Sequence, residues 1–253
     1  MEENRENKDN KLFNRIAAKY GRKDQVVSSS LARKFQLESV LDFISKEFQK
    51  SFFDTVLEIG CGVGASSLYM EGKFNQYIGI DYSKEFIELA NQRYAKENVK
   101  YLCSNIKELN ADKNPDLVLG IGVLHHITDI NKAICEMKKI SNKETIFAFI
   151  EPNSENKIIQ LLRKIRMIVD KNYSEDQIYF SKQELENLFT INGFNLIKTK
   201  FQGYFSPPFA QVIINPQVIF TRFSKLSILL DKTLQRNFNN SLSWNMMVVA
   251  RIC

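Results

Sequence analysis

Three glycines at alternate positions, Gly60, Gly62 and Gly64, form the segment of this chain whose chemistry is easiest to interpret. Glycine lets the backbone turn tightly and lets a ligand approach main-chain N–H groups without meeting a β-carbon. Residues 55–59 before them have the apolar content of a strand buried on both faces of a parallel sheet. Residues 65–71 are predicted as a helix whose first N–H groups point back at the loop. The pattern predicts one strand, ligand loop and helix of a nucleotide-binding α/β domain.

An acidic residue, Glu58, stands two positions before the first glycine. The loop also fits the dinucleotide fingerprint G-x-G-x-x-G/A through Gly60, Gly62 and Ala65, so an NAD-dependent oxidoreductase is one interpretation. A carboxylate at the mouth of the site is unfavourable beside a pyrophosphate and favourable beside a cationic amino acid. Glu58 therefore favours a cationic ligand over a dinucleotide.

A second acid, Asp81, ends a short apolar run at residues 77–83, twenty-one residues after Gly60. A carboxylate at about this distance from a glycine loop can accept both ribose hydroxyls of an adenosine. The structural alternative is that Asp81 helps to cap a helix that starts near Ser83. Asp81 therefore supports a nucleoside ligand without deciding which one.

Taken together, these residues resemble the class I S-adenosylmethionine-dependent methyltransferases, particularly the small-molecule and lipid-quinone type, over residues 13–201. The resemblance implies an α/β, Rossmann-like, doubly wound fold with a seven-stranded, mostly parallel sheet whose last strand is antiparallel. It also implies S-adenosylmethionine as the cofactor. The cofactor-binding residues are then expected in the glycine loop and after strands two, three and four: Glu58, Gly60, Cys61, Gly62, Gly64, Asp81, Tyr82, Asn105, Ile106, Gly120, Ile121 and Gly122.

Individual roles also follow from the resemblance. Tyr82 would lie along the adenine and Asn105 would contact its amino group, while residues 120–122 would border the methionine half of the ligand. Strands three, four and five are expected at residues 99–102, 116–121 and 145–150, and Glu151, Pro152 and Asn153 give the last of them the ending that this family shows.

The two histidines of the chain, His125 and His126, follow strand four at the active-site edge and are the candidate catalytic residues. An imidazole there can take a proton near neutral pH, which matters only if the methyl acceptor must lose one. The alternative is that one imidazole bonds to nearby backbone and the other faces solvent. Glu151 is the next candidate, as an orienting carboxylate. We expect His126→Ala to leave cofactor affinity nearly unchanged and to slow transfer to an oxygen acceptor.

Length and composition indicate one enzyme domain. The 253 residues are 44% hydrophobic, enough for one sizeable core and short for two. We therefore expect a single domain over residues 11–253 behind a disordered tail at residues 1–10. The polar start of the chain and the lack of an apolar stretch of about 18 residues predict a cytoplasmic protein.

Cysteine usage and charge narrow the ligands further. Cys61, Cys103, Cys135 and Cys253 lack C-x-x-C spacing, so we predict reduced thiols and no metal site. The formal net charge of +6 is spread along the chain without a cluster of arginines and aromatic residues. It therefore favours a general surface charge over a nucleic acid partner.

Two segments exceed a minimal core and are expected to form a helical substrate lid, at about residues 154–180 and 202–240. The first contains a basic amphipathic run, which predicts either a helix over the active-site mouth or a helix on a membrane surface. Between the segments, Ser181 and Glu184 have the spacing of a capping box.

The second segment begins with Pro207 and Pro208, which are expected to make its entry a turn rather than a helix. Its aromatic residues Tyr204, Phe205 and Phe209 suggest an apolar or ring-bearing acceptor. The preferred hypothesis is methyl transfer to O, N or C of a small-molecule or lipid-like acceptor. An NAD-dependent oxidoreductase and a non-catalytic S-adenosylmethionine-binding regulator remain the alternatives, because a fold does not name its substrate.

Overall fold

The computed structural model describes residues 2–109, 114–169, 177–211, 215–237 and 241–252. Seven strands form one sheet: β1 (Phe53–Ile59), β2 (Phe74–Asp81), β3 (Val99–Cys103), β4 (Leu117–Ile121), β5 (Ile146–Pro152), β6 (Phe194–Gln202) and β7 (Asn245–Ile252). Their order is β3-β2-β1-β4-β5-β7-β6. Strands β1 to β5 pair in parallel, and β7 runs antiparallel to both β5 and β6. The predicted fold class is confirmed.

This strand order places the ligand-binding edge. The chain moves outward from β1 through β2 to β3 and then returns to the other side of β1 with β4. A crevice forms at such a switch point, beyond the carboxyl ends of the strands. The glycine loop follows β1 and the two histidines follow β4, so the topology brings both to the same crevice.

Nine helices are assigned in the described part of the chain: α1 (Glu2–Asp24), α2 (Val27–Phe48), α3 (Ala65–Tyr69), α4 (Lys84–Tyr94), α5 (Ile130–Lys139), α6 (Lys157–Val169), α7 (Lys182–Ile191), α8 (Pro207–Gln211) and α9 (Gln217–Asn237). Helices α2 and α4 cover one face of the sheet, and α5 and α7 cover the other. Strand β5 is buried on both faces, because Ala148 packs in the first core and Phe147 and Phe149 pack in the second.

Two local predictions were wrong. Residues 2–10, predicted as a disordered tail, lie in the first turns of α1. Pro207 and Pro208 begin α8 instead of forming a turn, because the N–H that proline lacks has no partner in the first turn of a helix anyway. The capping box of Ser181 and Glu184 is confirmed at the start of α7.

The two expected lid segments contain α6 and the pair α8 and α9, and their function as a lid stays a prediction. Within these segments, residues 170–176, 212–214 and 238–240 lie outside the described residues, as does Cys253. Among the helices that the structure describes, none combines the length and the hydropathy needed to cross a bilayer.

Candidate active site

A cavity of about 500 Å³ opens beyond the carboxyl ends of β1, β2, β4 and β5. This volume lies in the range of small-molecule and cofactor sites. The glycine loop and the strand ends form its floor, and α1 covers it with Phe13, Ile16 and Tyr20. The ring of Phe13 packs edge-on against Tyr82 and His126, with centroids 6.3 and 5.1 Å away. The cavity is therefore enclosed between the sheet and α1.

The glycine loop turns beneath the cavity at Gly60 and Gly62, whose φ angles are 66° and 52°. A β-carbon on Gly60 would overlap the side chain of Val123. A β-carbon on Gly62 would meet no protein atom within 4 Å, and Gly62 lies on the cavity wall. Any side chain at position 62 would thus occupy ligand space. Cys61 shares this wall, but burial raises the pKa of its thiol well above the usual range, so it is a poor nucleophile.

The third glycine of the motif, Gly64, has a structural place. It precedes α3, and its carbonyl oxygen accepts hydrogen bonds from the hydroxyls of Ser67 and Tyr101 at 3.0 and 2.8 Å. The cavity wall includes its neighbours Val63 and Ala65. Gly64 therefore ties the loop to α3 and β3 behind the cavity.

Glu58 lies at the floor of the cavity and not at its mouth, since only 2% of the residue is exposed. Its carboxylate accepts hydrogen bonds from the hydroxyls of Ser66 at 2.6 Å and Tyr77 at 2.5 Å. Burial raises the pKa of Glu58 to about 7, because these two bonds offset only part of the lost hydration. A cation bound next to Glu58 would favour the ionised carboxylate, which suits a cationic ligand.

Asp81 ends β2 and links the glycine loop to α4. Its Oδ2 accepts a hydrogen bond from the main-chain N–H of Gly62, and its Oδ1 accepts one from the N–H of Ser83, both at 2.9 Å. Burial raises the pKa of this carboxyl, and the two N–H donors oppose the rise. Both sequence-based roles are thus compatible with the geometry, since Asp81 braces the start of α4 and its carboxylate, which has four acceptor sites, also lines the cavity.

The residues expected around the adenine lie together beside Asp81. Tyr82, Asn105 and Ile106 all line the cavity. Asn105 also caps the short helical turn Ile106–Glu108, because its side-chain oxygen accepts a hydrogen bond from the N–H of Lys107 at 3.0 Å. This bond uses one lone pair of the oxygen, so the second lone pair and the amide N–H₂ group of Asn105 can still bind a ligand.

The three residues expected at the end of β4 have two different locations, the cavity wall and the core. Ile121 and Gly122 line the cavity as expected. Gly120 lies in β4 against the core, where a β-carbon would approach the ring of Phe149 at 2.5 Å. The geometry therefore assigns Gly120 to close packing beneath the site.

His125 is held from the sheet side by Glu151, at the end of β5. The Nδ1 of His125 lies 2.7 Å from Oε2 of Glu151, and Oε1 of Glu151 accepts the main-chain N–H groups of Val123 and Leu124 at 3.0 and 2.8 Å. Glu151 is fully buried, and His125 lies on the cavity wall. A carboxylate on Nδ1 fixes the tautomer in which Nε2 carries the free lone pair.

His126 is held from the opposite side by α1. Its Nδ1 lies 3.1 Å from Oδ2 of Asp9, a residue that is 4% exposed. Burial and the adjacent His125 lower the pKa of His126, and Asp9 opposes this shift. The solvent-facing alternative is thus excluded for both histidines. Sequence reasoning missed Asp9, because it treated the polar N-terminal residues as disordered.

A charged pair on the part of the cavity wall formed by α1 and α2 was also missed. Asp24 at the end of α1 and Arg33 in α2 both line the cavity, with Arg33 Nε 3.2 Å from Asp24 Oδ1. This ion pair lacks hydrogen-bond geometry, and neither oxygen of Asp24 has a hydrogen-bond partner among the residues that the structure describes. Burial raises the pKa of Asp24, and Arg33 opposes the rise. The helical periodicity of α1 and α2 was the available signal, since both residues fall on the inner faces of these helices.

Apolar residues contribute much of the remaining wall, which is the proposed acceptor end of the cavity. They come from α2, β5, α6, α8 and the position before β7: Leu37, Ile150, Pro152, Leu162, Pro208 and Trp244. The polar residues Gln36, Arg163, Gln211 and Asn245 lie on the same part of the wall. Of the aromatic residues expected there, Phe205 is half exposed and Phe209 packs on Phe220 at 4.6 Å. The carbonyl of Tyr204 accepts a hydrogen bond from Trp244 Nε1 at 3.0 Å. The inference of an apolar wall therefore rests on different residues from those predicted.

Known proteins resemble this chain in sequence and in fold. A family model described as a methyltransferase domain matches residues 57–149. The ubiquinone biosynthesis O-methyltransferase of Rickettsia conorii is 32% identical over 115 residues, which make up 44% of this chain and 38% of that protein. The malonyl-[acyl-carrier protein] O-methyltransferase of Bacillus cytotoxicus is 26% identical over 194 residues, or 74% of this chain and 65% of that protein. The matches thus span less than two thirds of either relative.

A solved structure extends the likeness to nearly the whole chain. An S-adenosylmethionine-dependent methyltransferase of Thermotoga maritima superposes with a TM-score of 0.64 and 19% identity, covering 95% of this chain and 97% of that one. Identity at this level shows a shared fold. The domain match spans the glycine loop, Asp81, Asn105 and both histidines. Residues 57–149 thus match a methyltransferase domain, and the chain has the fold of S-adenosylmethionine-dependent methyltransferases of solved structure.

Proposed function

We propose that this chain transfers the methyl group of S-adenosylmethionine to an oxygen atom of a small, largely apolar acceptor. One observation supports this most strongly: a single cavity is walled by the glycine loop and Asp81 and also by His125 with Glu151 behind it. A cofactor site alone fits transfer to O, N or C. The buried carboxylate and imidazole add a proton acceptor, which a hydroxyl needs as it is methylated.

The described residues fit the cofactor. The open side of Gly62 admits a ligand against the backbone, and the remaining lone pairs of Asp81 can accept ribose hydroxyls. Tyr82 and Ile106 offer apolar surface to an adenine. At the other end, Arg33 lines the cavity and suits the carboxylate of the methionine half.

When bound, S-adenosylmethionine supplies a methyl group on a positively charged sulfur. The protein then has two tasks, to align the acceptor and to take its proton. Apolar residues such as Leu37, Pro152 and Trp244 line the space available for alignment. Glu151 accepts the Nδ1–H of His125, so Nε2 is the nitrogen that removes the proton of the acceptor.

Isothermal titration of the purified chain with S-adenosylmethionine and, separately, with NAD tests the cofactor. We expect binding of S-adenosylmethionine alone. Binding of NAD alone would replace the proposal with an oxidoreductase.

A second experiment tests turnover and the accepting atom. A metabolite extract is supplied with methyl-labelled cofactor, and products that gain one methyl group are identified by mass spectrometry. We expect a labelled methyl ether or ester. Cofactor binding without any methylated product would favour the non-catalytic regulator, and a product labelled on nitrogen or carbon would contradict the choice of an oxygen acceptor.

A further inference from the structure

Helix α9 turns polar side chains inward. Ser224, Ser227 and Asp231 recur at helical spacing and are buried. The hydroxyl of Ser224 donates to the main-chain oxygen of Ser28 in α2 at 3.0 Å. The carboxylate of Asp231 accepts three main-chain N–H groups from residues 204–206 and one serine hydroxyl. Buried hydrogen bonds thus help to hold the side of α9 that packs on the protein.

The opposite side of α9 is apolar and faces water. Six large side chains there are between 43% and 68% exposed: Val218, Ile219, Phe223, Leu226, Leu229 and Leu230. This reverses the usual amphipathic pattern, in which the apolar stripe of a helix faces the core. A continuous apolar patch on a protein surface marks a site of interaction.

The charges on this outer side of α9 have one sign. Arg222, Lys225 and Lys232 are exposed among the apolar residues. The one acidic residue in the sequence of α9 is Asp231, which is buried and hydrogen-bonded as described. The outer side therefore combines apolar groups with cations, and α9 contributes no carboxylate to it.

Helix α6 repeats the combination. Ile158, Leu161 and Ile165 are 49% to 66% exposed, Lys157 and Lys164 are exposed beside them, and the sequence of α6 contains no acidic residue. Leu242, which is 60% exposed, follows α9 in the chain and is joined to the start of α6 by a hydrogen bond from Asn156 Nδ2 to its carbonyl oxygen at 2.5 Å. We call the exposed side chains of α6, α9 and Leu242 the basic apolar surface.

We propose that the basic apolar surface docks this protein onto the headgroup region of an anionic lipid bilayer. Apolar side chains then enter the boundary between headgroups and acyl chains, and the lysines and arginines meet anionic headgroups. A second copy of the chain fits less well, because two-fold packing of this surface would place cations against cations without carboxylates between them.

The basic apolar surface lies close to the active-site cavity. Leu162 and Arg163 of α6 line the active-site cavity, while Leu161 and Ile165 of the same helix face outward. A bilayer bound to the outer side would therefore lie next to the acceptor end of the cavity. Docking itself does not depend on the proposed methyl transfer, and it can be measured without cofactor or acceptor.

Flotation of the purified chain with vesicles tests the proposal. We expect the chain to float with vesicles made of equal parts of phosphatidylglycerol and phosphatidylcholine and to remain behind with phosphatidylcholine alone. Replacing Leu229 by Gln should weaken partitioning about tenfold, the cost of withholding one large apolar side chain. Replacing Lys225 by Gln should weaken it about fivefold, the contribution of one cation near an anionic membrane.

Matched controls separate docking from general effects of the substitutions. Ile191→Gln alters an 81% exposed residue on α7, and Lys143→Gln alters an exposed lysine before β5, both away from the basic apolar surface. Both controls should partition like the unaltered chain, and all four variants should keep the same unfolding temperature. Failure to float with anionic vesicles, or equal losses in the controls, would overturn the proposal. A dimer in light scattering that L229Q dissociates would also overturn it, because a second copy would then be the occupant.

Discussion

His125 and His126 are neighbours in sequence but belong to two different regions of the molecule. His125 is fixed to the sheet through Glu151, whose other oxygen accepts two main-chain N–H groups. His126 is fixed to the covering helix α1 through Asp9 and the ring of Phe13. On the sheet side, the fully buried Glu151 binds three groups of the segment after β4, whereas on the helix side His126 contacts one carboxylate and one ring of α1. We therefore propose different tasks for the two identical side chains: His125 takes a proton from the acceptor, and His126 holds α1 over the cavity.

The largest effect, on the rate of methyl transfer, is expected when the contact between His125 and Glu151 is altered. Glu151→Gln keeps an oxygen for the N–H groups of Val123 and Leu124, but its amide donates to Nδ1 of His125 and so moves the ring proton to Nε2. Methyl transfer should fall about 10²- to 10⁴-fold, the range of general base catalysis. Steady-state rates with the identified acceptor measure this, and titration should show nearly unchanged affinity for S-adenosylmethionine. His125→Ala should lose a similar amount, and near-normal rates in either variant would remove His125 from the chemistry.

The second effect is on cofactor affinity, and it compares Asp81 at the end of β2 with Asn14 in the covering helix α1. Asp81→Asn loses the charge that accepts hydrogen bonds from Gly62 and Ser83 and is proposed to accept the ribose, so the Kd for S-adenosylmethionine should rise about 10- to 100-fold. The matched control is Asn14→Ala in α1, which removes only the 2.6 Å bond from the hydroxyl of Ser83. Isothermal titration should show a smaller change for this variant. Equal losses would mean that Asp81 acts mainly as a brace for α4.

The third effect is on stability and comes from Glu58. Its pKa is about 7 in the folded chain and 4.5 as the ordinary value, so the folded protein binds more protons than the unfolded one between these two values. The free energy of unfolding should therefore fall as pH rises through this window, by up to about 1.4 kcal/mol per pH unit. Urea unfolding at several pH values measures the slope.

Glu58→Gln, which cannot ionise, should flatten that part of the curve. The opposite sign is expected on the helix side: the lowered pKa of His126 means that its neutral form is favoured in the fold, so its contribution is lost as pH drops below 6.5. An unchanged curve in Glu58→Gln would show that Glu58 ionises freely in the folded protein.

The smallest effect, on the KM for the cofactor, is expected when the contact between His126 and α1 is removed. His126→Ala should raise the KM for the cofactor about fivefold with little change in kcat, since one hydrogen bond of about 1 kcal/mol between α1 and the site is lost. This reverses the expectation from sequence, which placed His126 in the chemistry. The measurement is the split of kcat and KM, with Asp9→Ala as the partner variant. A fall in kcat with unchanged KM would restore the original assignment.

Much of the cofactor side could be predicted because its signals are local. Residue type and spacing are enough to predict the roles of Gly60, Gly62 and Asp81. The capping box can likewise be predicted from the four residues that begin at Ser181. The contacts of α1 with the site could not be predicted, since Asp9 lies in a polar segment that resembles a solvated tail. Asp9 is positioned by its contact with His126, which is 117 residues away in the sequence. The misassigned entry of α8 has a similar origin, because two prolines fit either a turn or a first helical turn.

Sequence alone determined the order of the strands along the chain, the glycine loop and the acids at the strand ends, because these depend on periodicity and on conformations that few residues adopt. Tertiary structure decided which side each histidine serves, that Glu58 lies at the floor of the cavity, and that α9 presents its apolar side outward. Those properties arise when distant segments pack, and burial and partners then set what an ordinary carboxylate, imidazole or leucine can do.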